Sequence, residues 1–193
     1  NFCGSVSPMP LPSKSMAQRR RSRSRLILVL GGAASGKSQV ALEKAGPGGP
    51  RAFVATGQAL DGEMTARIER HRATRSADWC TAEVPRALAE WFRSDGSRYR
   101  TIVVDCLTLW LSNLCGRRMV GQDMTGRVEE LLQAIRRTSA RVVLVSNELG
   151  FGLVPTNRDA RAFRDIAGRV NQQFAAAADE VYFVMAGQPL RLK

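Results

Sequence analysis

Residues 26–38 read Leu-Ile-Leu-Val-Leu-Gly-Gly-Ala-Ala-Ser-Gly-Lys-Ser, an unbroken apolar run that passes directly into Gly31-x-x-x-x-Gly36-Lys37-Ser38. A short apolar run bounded by glycine predicts a strand buried on both faces. A glycine-rich turn between such a strand and a helix, ending in Lys-Ser, is a phosphate-binding loop. Its glycines let backbone N–H groups converge on an anion, and the helix N-terminus adds partial positive charge. Gly31, Gly32, Ala33, Ala34, Ser35, Gly36, Lys37 and Ser38 are therefore candidate nucleotide-binding residues. Lys37 is expected to reach the terminal phosphates and to act catalytically, and the Ser38 hydroxyl to hold Mg²⁺. The plain alternative is a glycine-rich strand-to-helix turn without a ligand; the full motif in its required context weighs against it.

Outward from this loop, short apolar runs alternate with helical patterns. Further strands are predicted at Ala52–Ala55, Thr101–Cys106, Val142–Val145 and Val181–Met185. Helices are predicted from Asp61 through Thr74, Pro85 to Phe92, Val128 to Arg137 and Arg158 to Ala178, with Gly96 ending the second of these. Strand and helix in alternation, with strands apolar on both faces, give a three-layer α/β P-loop NTPase domain around a mostly parallel sheet.

Ligands bind at the carboxyl ends of strands in open α/β sheets. Asp105 ends the run Ile102–Val104 and is a candidate Mg²⁺-organising acid beside Ser38. Glu148, after VVLVSN, is a weaker candidate of the same kind. The single histidine, His71, falls in the predicted helix DGEMTARIERHRATR, with Met64 and Ile68 on its face and Arg67 and Arg75 four residues to either side. Two readings stand. It is a structural histidine beside an apolar stripe, or a neutral, nucleophilic imidazole kept so by cations that would also pair with phosphate oxygens.

The formal net charge is +12, and residues 1–25, which contain Lys14 and five arginines but no acid, supply half of it. That Ser-, Pro- and Arg-rich stretch predicts disorder. It lacks the apolar middle of a secretory signal. The part before Met16 reads as foreign to the protein rather than as an organelle transit peptide. Residues 26–193 are expected to form one catalytic domain. A basic chain can attract nucleic acid, but aromatics make up only 6% and form no cluster on which bases could stack. The four cysteines, Cys3, Cys80, Cys106 and Cys115, form no C-x-x-C pair, so reduced thiols in a cytoplasmic protein are expected. No apolar run approaches membrane-spanning length.

The segments GGAASGKS, VATGQALDGEMTARIERHR, ADWCTAE, VVDCLTLWLSNL, VSNELGFGLVP and FRDIAGRVNQQFAAAADEVYFVMAG occur in this order. Together they resemble the bifunctional adenosylcobinamide kinase / adenosylcobinamide-phosphate guanylyltransferase family of cobalamin biosynthesis, over residues 26–193. The resemblance implies a RecA-like fold, a homotrimer, and two reactions. One is phosphorylation of adenosylcobinamide by ATP or GTP. The other is transfer of GMP from GTP through a guanylylated histidine, matched here by His71, to adenosylcobinamide phosphate. It further implies guanine-nucleotide contacts at Thr56, Gly57 and Gln58, at Arg72, Ala73, Thr74 and Arg75, and at Glu83 and Asp105. The family's loop usually reads GGARSGKS, so Ala34 departs from it. A nucleic-acid-associated RecA-like ATPase and a simple small-molecule P-loop kinase are the competing readings.

Overall fold

The structure is a computed structural model that describes residues 25–58, 78–116 and 123–193. Its strands are β1 (Arg25–Gly31), β2 (Arg51–Ala55), β3 (Trp79–Glu83), β4 (Thr101–Asp105), β5 (Arg141–Asn147), β6 (Glu180–Met185) and β7 (Gln188–Arg191). Its helices are α1 (Lys37–Ala45), α2 (Leu88–Ser94), α3 (Leu107–Cys115), α4 (Thr125–Arg136) and α5 (Arg158–Ala177), with a 3₁₀ turn at Gly96–Arg98. The strands form one sheet in the order β3-β2-β4-β5-β1-β6-β7. All neighbours are parallel except β6 and β7, which form an antiparallel hairpin.

Side chains alternate across a strand, so each apolar run feeds two cores. Leu26, Leu28, Leu30, Ile102, Val104, Val142 and Leu144 point to one face, where α2, α3, α4 and α5 cover them through Leu88, Leu111, Leu131 and Phe174. Ile27, Val29, Phe53, Val103, Val143 and Val145 point to the other, against Val40, Ala41 and Ala45 of α1. The three-layer α/β expectation is thereby met. Helix α5 begins where the Asn157 carboxamide oxygen accepts from the N–H groups of Asp159 and Ala160, a side-chain N-cap.

Several boundaries differ from the sequence expectation. Arg25, grouped with the tail by its charge, opens β1, and its guanidinium pairs with the buried Glu180. The strand through Asp105 stops there, and Cys106 instead caps α3. The second predicted helix starts three residues later than Pro85, at Leu88, runs to Ser94, and Gly96 opens the 3₁₀ turn. Strands β3 and β7 and helix α3 were not anticipated. Both strands lie at sheet edges, where WCTAE buries no residue fully and QPLR is exposed throughout. An edge strand of this kind lacks the apolar run on which the strand reading depends, and Pro189 is tolerated there because one side of the strand is free of ladder bonds. The helix predicted from Asp61 through Thr74 lies outside the described residues.

Candidate active site

The phosphate loop leaves β1 at Gly31 and enters α1 at Lys37. Gly31 packs against the β6 backbone so closely that a Cβ would lie 2.7 Å from the Val184 carbonyl oxygen and 2.5 Å from the Ser35 hydroxyl. Only glycine fits this approach. Three of the loop's carbonyls have donors of their own. Gly31 O accepts from the Glu148 N–H at 3.0 Å, and Ser35 O from the Gly187 N–H at 2.9 Å. Gly32 O accepts from the Lys37 ammonium at 2.9 Å. Lys37 is only 5% exposed, a charge held inside the loop rather than on the surface.

Sheet register brings the other candidates to the same edge. Ala55 pairs with Glu83 on one side and Asp105 on the other, and Asp105 pairs in turn with Val145. Gly31 pairs with Asn147 at the end of β5. The loop and Asp105 thus leave the carboxyl edge of the sheet with one strand, β5, between them. Thr56 follows β2 directly. Its N–H donates to the Asp105 carbonyl at 3.2 Å, and its side chain is locked onto the Cys106 backbone. Asn113 of α3 donates to the carbonyls of Thr56 at 2.8 Å and Pro85 at 3.0 Å, fixing the start of the segment Thr56, Gly57 and Gln58.

Cys106 sits between the two halves of this site. Burial, with a smaller contribution from the Asp105 carboxylate, pushes its thiol up to about 11 against the opposing Lys37 ammonium. Its sulfur accepts from the Asn147 amide at 3.9 Å, and Asn147 is the β5 residue in register with Gly31 at the start of the loop. Sequence reading passed over Cys106, Asn113 and Gly187, since a lone thiol, an amide and a turn glycine have no pattern of their own. Glu148 also lies at this edge, directly after β5. Its carboxylate accepts from the Gly150 N–H at 2.7 Å, and it serves the loop through its backbone. His71, Arg72, Ala73, Thr74 and Arg75 lie outside the described residues.

Residues 27–192 match the model of the cobinamide kinase / cobinamide phosphate guanyltransferase family. The chain belongs to this family. Among relatives in the cobinamide kinase / guanyltransferase group, the bifunctional adenosylcobalamin biosynthesis protein CobP of Pseudomonas aeruginosa is 45% identical over 169 residues, covering 86% of this chain and 96% of the relative. Those called CobU in Escherichia coli and Salmonella typhimurium are 41% and 42% identical, with 99% of each relative covered. Among solved structures, the P4 protein of bacteriophage phi6 in complex with ADP has a TM-score of 0.48 and 14% identity, covering 97% of this chain and 59% of that one. The RadB recombinase has a TM-score of 0.46 and 14% identity, over 84% and 74% of the two chains. Among the described residues, no helix is long and apolar enough to cross a membrane.

Proposed function

We propose that this chain carries both activities of its family, as a kinase acting on adenosylcobinamide and a guanylyltransferase acting on its phosphate. The observation that carries the reading is that the phosphate loop and the strand-end Asp105 leave the same edge of the sheet, in a chain matched to the family from residue 27 to residue 192. In the kinase step the loop binds the triphosphate of ATP or GTP. Lys37 exchanges the Gly32 carbonyl for phosphate oxygens and offsets the charge that develops on them. The substrate's hydroxyl oxygen takes the γ-phosphoryl group, its proton leaves, and the nucleoside diphosphate departs.

In the second step a His71 ring nitrogen attacks the α-phosphorus of GTP. A P–N bond forms, the bond to the β-phosphate oxygen breaks, and pyrophosphate leaves. A phosphate oxygen of adenosylcobinamide phosphate then displaces the histidine to give adenosylcobinamide-GDP. Thr56, Gly57, Gln58, Glu83, Asp105 and residues 72–75 are assigned to the guanine nucleotide by the same reading. Mg²⁺ fits here: Asp105 is a half-buried carboxylate at the sheet edge, and Ser38 lies in the first turn of α1. An ion that keeps phosphate oxygens and waters as ligands needs only one or two protein oxygens of this kind. When bound it neutralises phosphate charge; Ser38 and Asp105 would hold it. The functional unit is proposed to be a homotrimer in the cytoplasm.

The test is incubation with Mg²⁺ and GTP labelled at the α-phosphate, for wild type and His71→Ala. Acid-labile, base-stable label on wild type alone, with the kinase step intact in both, is expected. No label on wild type, with GTP still bound, would remove the guanylyl-histidine step and leave a small-molecule P-loop kinase.

A further inference from the structure

A peptide unit is planar and trans, so its C=O and the N–H of the next residue point in opposite directions. A donor that holds a loop carbonyl on the outside therefore turns the following N–H inward. For the Ser35–Gly36 peptide that donor comes from far along the chain. The Gly187 N–H reaches Ser35 O at 2.9 Å. Gly187 belongs to the two-residue turn, Ala186 and Gly187, that joins β6 to β7 between the paired residues Met185 and Gln188. Both turn residues have positive φ, 50° and 78°, as the tight hairpin turns that match strand twist require. The turn lies against the loop: a Cβ on Gly36 would be 3.1 Å from the Gly187 Cα.

We infer that Gly187 is a positioning residue for the nucleotide phosphates, its N–H holding the Ser35 carbonyl outward so that the Gly36 N–H points into the cradle. This rests on residues 31–38 being the phosphate loop. Without the anchor the Ser35–Gly36 peptide is free to rotate and present its carbonyl to the anion, a repulsive arrangement. Glu148 plays the matching part at the other end of the loop, where its N–H holds Gly31 O at 3.0 Å. The phosphate site is thus shaped from two places outside its own motif, the exit of β5 and the β6–β7 turn.

Outside its chain neighbours, no residue comes within 4 Å of a Cβ built at Gly187, so a substitution there meets backbone conformation and not crowding. Asn tolerates the left-handed region, Ala less so, and a β-branched residue least. The experiment is titration of the full chain with inorganic tripolyphosphate and with GTP, for wild type, Gly187→Asn, Gly187→Ala and Gly187→Val, with the unfolding transition of each recorded. Asn is expected within about twofold of wild type and Val weaker by about tenfold, with Ala between, and the loss equal for the two ligands. Should the Val variant fail to fold, the Asn–Ala difference decides. Equal affinity across the series, while Lys37→Met loses binding, would overturn the inference. Tripolyphosphate binding unchanged in Lys37→Met would instead remove the phosphate-loop reading beneath it.

Discussion

The Thr56 hydroxyl donates to the Cys106 carbonyl at 2.7 Å and accepts from the Cys106 N–H at 2.8 Å, closing the ends of β2 and β4 upon each other. Thr56 is fully buried, so water cannot replace either bond. The clasp adjoins Asp105, whose own carbonyl takes the Thr56 N–H at 3.2 Å. A residue assigned by resemblance to the nucleotide is thereby also the lock that holds the backbone beside the strand-end acid.

Thr56→Val keeps the shape and strands the buried Cys106 N–H, while the Cys106 carbonyl keeps the Trp110 N–H at 3.1 Å. It is expected to cost about 1–3 kcal/mol in denaturant unfolding, whereas Thr56→Ser keeps the hydroxyl and costs about 1 kcal/mol. A Val variant as stable as wild type would show that the clasp is idle.

Lys37→Met preserves the buried stem and removes the ammonium. Nucleotide-dependent phosphorylation is expected to fall by about a hundredfold or more, with the unfolding free energy changed by about 1 kcal/mol or less. Kinase assay and unfolding on the same preparation check this; retained turnover would exclude Lys37 from the chemistry.

The Cys106 thiol supplies a pH signature. Its folded value is raised from 9.0 to about 11 by burial, so the folded state keeps a proton that the unfolded state releases in that window. Stability should therefore be undiminished below pH 9 and decline as pH rises toward 11, by about 2–3 kcal/mol in total. In Cys106→Ala this decline should disappear. The same burial predicts that the exposed Cys80 alkylates readily at pH 8 while Cys106 does not, since the thiolate is the nucleophile. Mass spectrometry after brief iodoacetamide treatment separates the two.

Most of the parallel sheet was legible because Leu26–Leu30, Ile102–Val104 and Val142–Val145 lie in strands buried on both faces, and burial on both faces forces an apolar run. The edge strands β3 and β7 were not, since a strand with one partner and an exposed face selects no such run. Helix α3 was missed because Leu107–Cys115 follows β4 with only Cys106 between them, and no residue of it is exposed, so it shows no polar face to mark a helical period. The assignment of Arg25 to the tail failed for a related reason: charge at a strand's first residue reads as tail until its partner, Glu180, is brought across from β6.

What the sequence alone determined is the phosphate loop, written in contiguous residues, the class of fold, written in the alternation of apolar runs and helical patterns, and the family, written in six segments taken in order. The glycine at 31, the lysine at 37 and the acid at 105 can be read without neighbours. What only the tertiary structure decided is how those residues are held. The grip of Thr56 on Cys106, of Glu148 on Gly31 and of Gly187 on Ser35 joins positions 50, 117 and 152 residues apart. Two of these bonds are made by backbone N–H groups, which every residue but proline possesses and no side-chain pattern announces. Sheet register supplies them, and register is a property of the folded chain.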